Sequence, residues 1–106
     1  ANLYRNRGSA SFDLGDTKEA IQDFSKALTL DSSISELYIA RGRSYAKIGD
    51  PNQATEDFSK AISLNPNYSQ AYRLRGETYL TMGCISLGEA DIGKADWLDN
   101  QREGTS

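Results

Sequence analysis

Asp23-Phe24-Ser25-Lys26-Ala27 returns as Asp57-Phe58-Ser59-Lys60-Ala61, and again as Asp91-Ile92-Gly93-Lys94-Ala95, each time 34 residues on. The same step links Tyr4, Tyr38 and Tyr72, then Arg7-Gly8, Arg41-Gly42 and Arg75-Gly76, then Gly15, Gly49 and Gly83. Tyr45 and Tyr79 match as well, with Ser11 at that place in the first unit. Agreement at so many positions makes the chain an array of three units, an organisation in which each unit packs only on its neighbours.

Within a unit the apolar spacing is helical. Tyr38, Tyr45 and Ile48 share one stripe, and Ala54, Phe58, Ala61 and Ile62 share another. The spacing predicts helices near 2–14, 17–30, 34–48, 51–64, 68–82 and 86–98. Gly15 and Gly49 stand where the first helices should stop, followed by Asp16 and Asp50 as N-caps of the second. Asp16 with Glu19, and Asp50 with Gln53, have capping-box spacing, and Pro51 holds the favoured first helical position. Ser33 with Glu36, and Asn67 with Gln70, read as caps of the later first helices. In the last unit Cys84 replaces the capping aspartate, so its second helix is expected to start late, with Ser86 as N-cap and Glu89 closing the box.

Gly8, Gly42 and Gly76 fall mid-helix, where glycine costs about 1 kcal/mol relative to alanine. Their recurrence predicts a partner helix so close that no side chain fits. Gly88 and Gly93 both fall in the last helix, so the last hairpin is expected to be the least stable. One hairpin cannot bury its apolar face, whereas three stacked hairpins can. The expected fold class is therefore all-α, a superhelical solenoid with a concave side. Residues 1–102 make a single domain of units 1–34, 35–68 and 69–102, with 103–106 as a tail.

Composition narrows the function. Among 106 residues, 12 Lys and Arg face 15 Asp and Glu, a net charge of −3. Nonspecific nucleic-acid binding needs a clustered excess of cations, so no nucleic-acid partner is expected. No stretch approaches the roughly 18 apolar residues of a membrane span, so no membrane partner is expected either. Histidine is absent, which removes Ser-His-Asp and Cys-His nucleophile systems and His-based zinc sites. Cys84 is the only cysteine and has no close cationic neighbour in sequence, so it reads as a bystander thiol. No phosphate-binding loop occurs. An enzyme is not expected, and no cofactor. The chain opens on Ala1 inside a patterned segment and is expected to be part of a longer protein.

The second unit, with Tyr38, Gly42, Tyr45, Gly49, Ala54, Phe58, Ala61 and Pro66, resembles the tetratricopeptide repeat. The resemblance covers residues 1 to about 102. Arg replaces the family's usual Leu before the first Gly of every unit, Ser32 stands where Pro is expected, and Gly88 where Ala is expected. The resemblance implies a non-enzymatic scaffold that holds a peptide or partner protein in a concave groove lined by the first helix of each unit. The usual groove positions fall on Asn2, Arg5, Ser9, Phe12 and Asp13 in the first unit. The second unit supplies Glu36, Ile39, Arg43, Ala46 and Lys47, and the third Gln70, Arg73, Glu77, Leu80 and Thr81. One subclass clamps the C-terminal carboxylate of chaperone tails with two Lys, two Asn and an Arg. Those positions here hold Arg5, Ser9, Ala40, Gln70 and Leu74, and only Arg5 keeps cationic character, so that subclass is rejected.

Further expectations concern charge and the two ends. The Arg of each Arg-Gly pair should bond the Asp of its own second helix, pairing Arg7 with Asp23, Arg41 with Asp57 and Arg75 with Asp91. Exposed pairs of that kind would add roughly 0–1 kcal/mol. Arg73 and Glu77, four apart, should partly neutralise each other, whereas Arg43 and Lys47 repel and should leave the second unit with the strongest positive field. With Ile39 and Leu80 as apolar surface, the groove would suit an extended peptide carrying an acidic group beside an apolar anchor. Self-association is the alternative. Ile21 and Leu28, then Thr55 and Ile62, should receive the following unit; the third unit has Glu89 and Asp96 instead, a polar end. Leu3 and Leu14 are left facing a neighbour, and Trp97 is a further candidate contact.

Overall fold

The computed structural model describes residues 2–103, with side chains from 3 to 101. Six helices follow one another: α1 (Asn2–Leu14), α2 (Thr17–Leu30), α3 (Ser35–Lys47), α4 (Pro51–Leu64), α5 (Ser69–Thr81) and α6 (Ile85–Glu103). No strand occurs among the described residues. They pair into three hairpins, α1 with α2, α3 with α4 and α5 with α6, and each hairpin stacks on the previous one through α2–α3 and α4–α5 contacts. This is the three-hairpin solenoid that the repeat predicts. The helix α6 reaches Glu103 rather than stopping near 98, and the rest of the expected tail lies outside the described residues.

The bend inside each hairpin is made by backbone. Gly15, Gly49 and Gly83 have φ of 91°, 87° and 87°, the left-handed region that ends a helix at low cost only for glycine. The next amide then donates five residues back around the turn: Asp16 to the Ser11 carbonyl, Asp50 to Tyr45 and Cys84 to Tyr79, at 2.8–2.9 Å. This closure corrects the capping expectations. Asp50 caps with its side chain, accepting from the Gln53 amide at 3.3 Å, whereas Asp16 makes no such bond. The helix α6 starts at Ile85, in register with the other two, and not after a cap at Ser86. A glycine turn that fixes the chain direction needs no aspartate after it.

Between hairpins the caps are again backbone-led. Ile34 and Tyr68 are the N-caps of α3 and α5, not Ser33 and Asn67, and neither helix has a side-chain cap. Ser33 instead donates its amide and hydroxyl to Asp31, and these two bonds lower the Asp31 carboxyl below its ordinary value. The departure from proline at Ser32 is harmless for a visible reason. Tyr38 Oη donates to the Ser32 carbonyl as Tyr72 Oη does to Pro66, so the turn uses a backbone oxygen that any residue supplies.

Two core clusters run along the stack. Phe24, Ala20, Ala27, Leu28 and Leu37 form the first, and Phe58, Ala54, Ala61, Ile39 and Ala71 the second. The mid-helix glycines explain their tightness. A Cβ on Gly8 would come within 2.8 Å of the Phe24 ring, and one on Gly42 within 2.6 Å of the Phe58 ring. In the third hairpin Ile92 replaces the phenylalanine, and Gly76 and Gly88 meet backbone to backbone, a Cβ on either falling 2.9 Å from the other's carbonyl oxygen. Leu80 fills the space over Gly88, 2.6 Å from where its Cβ would be. Gly88 is therefore a packing requirement and not merely a weak point in α6. Gly93 differs, having nothing within 4 Å of a Cβ. Gly93→Ala should raise stability by up to about 1 kcal/mol, read as a higher urea midpoint; a lower midpoint would show that the helix needs glycine there.

Candidate functional site

Arginine–aspartate bridges recur once per hairpin and hold the first helices in place. Arg7, Arg41 and Arg75 each donate from Nε and Nη2 to both carboxylate oxygens of Asp23, Asp57 and Asp91, at 2.7–3.1 Å. All three aspartates are buried, so these bridges are not the exposed pairs expected from sequence. The guanidinium of Arg41 is held above its ordinary value chiefly by its hydrogen bonds to Asp57, against the opposing effect of burial. Such fork-to-fork bonds set orientation as well as distance. With the first helices fixed in this way, α1, α3 and α5 touch in chain order.

Their shared face holds two recesses. One, about 380 Å³, lies between α1 and α3 and is lined by Ser9, Phe12, Asp13, Ala40 and Arg43 with Phe24 at its base. The other, about 970 Å³ and more open, lies between α3 and α5, with Phe12, Arg43, Ala46, Lys47, Leu74, Glu77, Thr78 and Thr81 around it and Phe58 below. Phe12 borders both. Two cations stand over its ring, Arg43 at 5.3 Å and Lys47 at 4.6 Å from the centroid. Lys47 Nζ also donates to the Phe12 carbonyl at 3.4 Å. Neither cation has a carboxylate partner within 4.0 Å among the described residues. An aromatic face attracts a cation without neutralising it, so neither charge is cancelled by this contact.

Of the residues assigned to the groove, Ser9, Phe12, Arg43, Lys47 and Glu77 thus border two adjoining recesses. Arg5 and Glu36 line neither recess. The Tyr68 phenol is raised above its ordinary value first by burial and then by the charge of Glu36, with Arg5 opposing. Tyr68 is the one tyrosine outside the 34-residue pattern. Three other assigned residues line neither recess. Ile39 is 4% exposed and packs with Ala71 in the core, because an apolar side chain at this position can turn into the junction with α5, whereas Arg5 must stay in water. Leu80 is half-buried against Gly88. Arg73 bonds Asp96 at 2.8 Å and Asp99 at 3.0 Å, not Glu77, because α6 runs on far enough to bring both aspartates alongside. The side chain of Asn2 lies outside the described residues. No group of three or more His, Cys, Asp and Glu that could hold a metal ion occurs among the described residues, and no helix is long and apolar enough to cross a membrane.

A family model for the tetratricopeptide repeat matches residues 1–33 and 35–68. No curated protein matches at a significant level. Among solved structures, one of MamA is 26% identical with a TM-score of 0.92 over 95% of this chain, which spans 59% of the length of that one. The second such domain of Spaghetti (RPAP3), bound to the HSP90 peptide SRMEEVD, is 26% identical with a TM-score of 0.87, over 91% of this chain and 89% of that one. The second such domain of human RPAP3, in complex with the HSP70 peptide SGPTIEEVD, is also 26% identical, with a TM-score of 0.86 over 90% of this chain and 79% of that one.

Proposed function

Since this chain belongs to the tetratricopeptide repeat family, we propose that it is a non-enzymatic interaction scaffold whose concave groove takes an extended acidic peptide from a partner protein. One observation carries the reading: Arg43 and Lys47 crowd over Phe12 without a carboxylate to neutralise them. Like charges four apart on one helix repel, so their retention side by side suits an anion that bridges them. The recess beside them, floored by Ala46, Leu74 and Phe58, suits an apolar side chain next to the acidic one. This replaces Ile39 and Leu80 as the apolar contribution. The RPAP3 domains bind chaperone peptides ending in EEVD. Here Ala40 and Leu74 pack against the core where that mode of binding needs polar side chains, so a different acidic sequence is the proposed ligand.

The reading is tested by selecting binders from a displayed library of random 12-residue peptides and measuring the best by calorimetry. Selected sequences should pair Asp or Glu with an aliphatic or aromatic neighbour. Arg43→Ala and Lys47→Ala should each weaken binding roughly tenfold, with a smaller loss at high salt. Both residues are exposed, so circular dichroism should be unchanged. Unaltered affinity in both variants would remove the second repeat's groove from the binding site.

A further inference from the structure

We propose, resting on the acidic-peptide reading, that the ligand of this groove carries a basic side chain three residues to each side of its acidic one. The charges that border the two recesses run negative, positive, negative from α1 to α5. Ser9, Arg43 and Glu77 are equivalent at the 34-residue step, and so are Asp13, Lys47 and Thr81. The two sets put one carboxylate on α1, two cations on α3 and one carboxylate on α5, helices that touch in that order. Among the described residues, Asp13 is the sole carboxylate bordering the first recess and Glu77 the sole one bordering the second, while Arg43 borders both. Arg5 and Glu36 lie outside both recesses, and Arg73 is held by Asp96 and Asp99.

Neither outer carboxylate is neutralised from within. Asp13 and Glu77 are exposed and have no cation within 4.0 Å among the described residues. An acidic group seated on Arg43 and Lys47 therefore has a carboxylate of the protein one helix away on either hand. Packed helices lie about 8–10 Å apart. In an extended chain of polyproline-II type, residues three apart stand on one face, roughly 9 Å from each other. A base at each of those places reaches Asp13 or Glu77 while the central acid stays over α3. The same arrangement discriminates against a run of acids, whose flanking carboxylates would meet Asp13 and Glu77 with like charge.

The probes are three acetylated and amidated peptides built around Asp-Leu, with Lys, Gln or Glu three residues to each side of the Asp and with Ala and Pro elsewhere to favour the extended form. In calorimetry on the intact chain at low salt, the Lys peptide should bind about tenfold more tightly than the Gln peptide, roughly threefold for each exposed pair. The Glu peptide should bind more weakly than either. Glu77→Lys and Asp13→Lys should each reduce the advantage of Lys over Gln, and the double variant should reverse the order, with Glu flanks preferred to Lys. Both residues are exposed, so circular dichroism should be unchanged. Equal affinity for the Lys and Gln peptides, with both weakened by Arg43→Ala, would overturn the flanking bases and leave the acidic-peptide reading standing. A preference for Lys that survives the double variant, or no saturable binding of the Lys peptide at millimolar concentration, would also overturn them. Indifference of all three peptides to Arg43→Ala and Lys47→Ala would remove the acidic-peptide reading itself, and the flanking bases with it.

Discussion

Phe58→Ala is expected to destabilise the protein by about 3–5 kcal/mol, a large part of the roughly 5–15 kcal/mol available to a domain of this size. Phe58 is 1% exposed and sits at the centre of the second core cluster. Its ring lies where a side chain on Gly42 would otherwise go, so the two positions are coupled. Gly42→Ala alone places a Cβ 2.6–3.1 Å from three ring carbons, an overlap that backbone motion must relieve at about 1–3 kcal/mol. With the ring removed, that Cβ enters the cavity. Gly42→Ala should then be neutral or recover up to about 1 kcal/mol through helix propensity. Chemical denaturation of both single variants and the double variant forms the cycle. Additive losses would mean that the glycine is not there to admit the ring.

Asp57→Ala should be the next most damaging change. Removing one partner of a buried pair costs about 3–5 kcal/mol because the other charge is stranded; the partial solvent contact of Arg41 lowers this to roughly 2–3 kcal/mol. Arg41 would lose two of its three hydrogen bonds, keeping only Ser25. The Arg41 guanidinium is raised by its hydrogen bonds to Asp57, so its side of the pair is fully present below its unfolded value and is lost only as pH climbs through the higher folded one. Asp23→Ala should destabilise less, because Arg7 is mostly exposed and swings into water. Urea midpoints that rank Asp23→Ala equal to or above Asp57→Ala would contradict the dependence on burial.

The fold was legible in the sequence because identical units must pack identically, so any residue pair that recurs together at a 34-residue step is a contact that recurs. That is how Arg7 and Asp23, sixteen apart and on different helices, could be paired before any coordinates. Caps were less legible. Asp16, Ser33 and Asn67 have suitable chemistry, but their side chains make no cap bond where a glycine turn or a backbone bend already closes the helix end. The groove was legible in part for a related reason. Equivalent positions share a location, not a direction: Arg5, Ile39 and Arg73 sit at the same place in their units, yet one is exposed, one turns into the core and one is bonded by α6. The stacking of Phe12 under Arg43 and Lys47 joins neighbouring units, and the step of 34 does not relate those residues to one another.

Amide shift mapping of the chain with a library-selected acidic peptide tests the interaction account most directly. Perturbations should concentrate on α1, α3 and α5, largest at Phe12, Arg43 and Lys47, with α2, α4 and α6 little changed. Perturbations centred on the second helices, with those three residues silent, would contradict it.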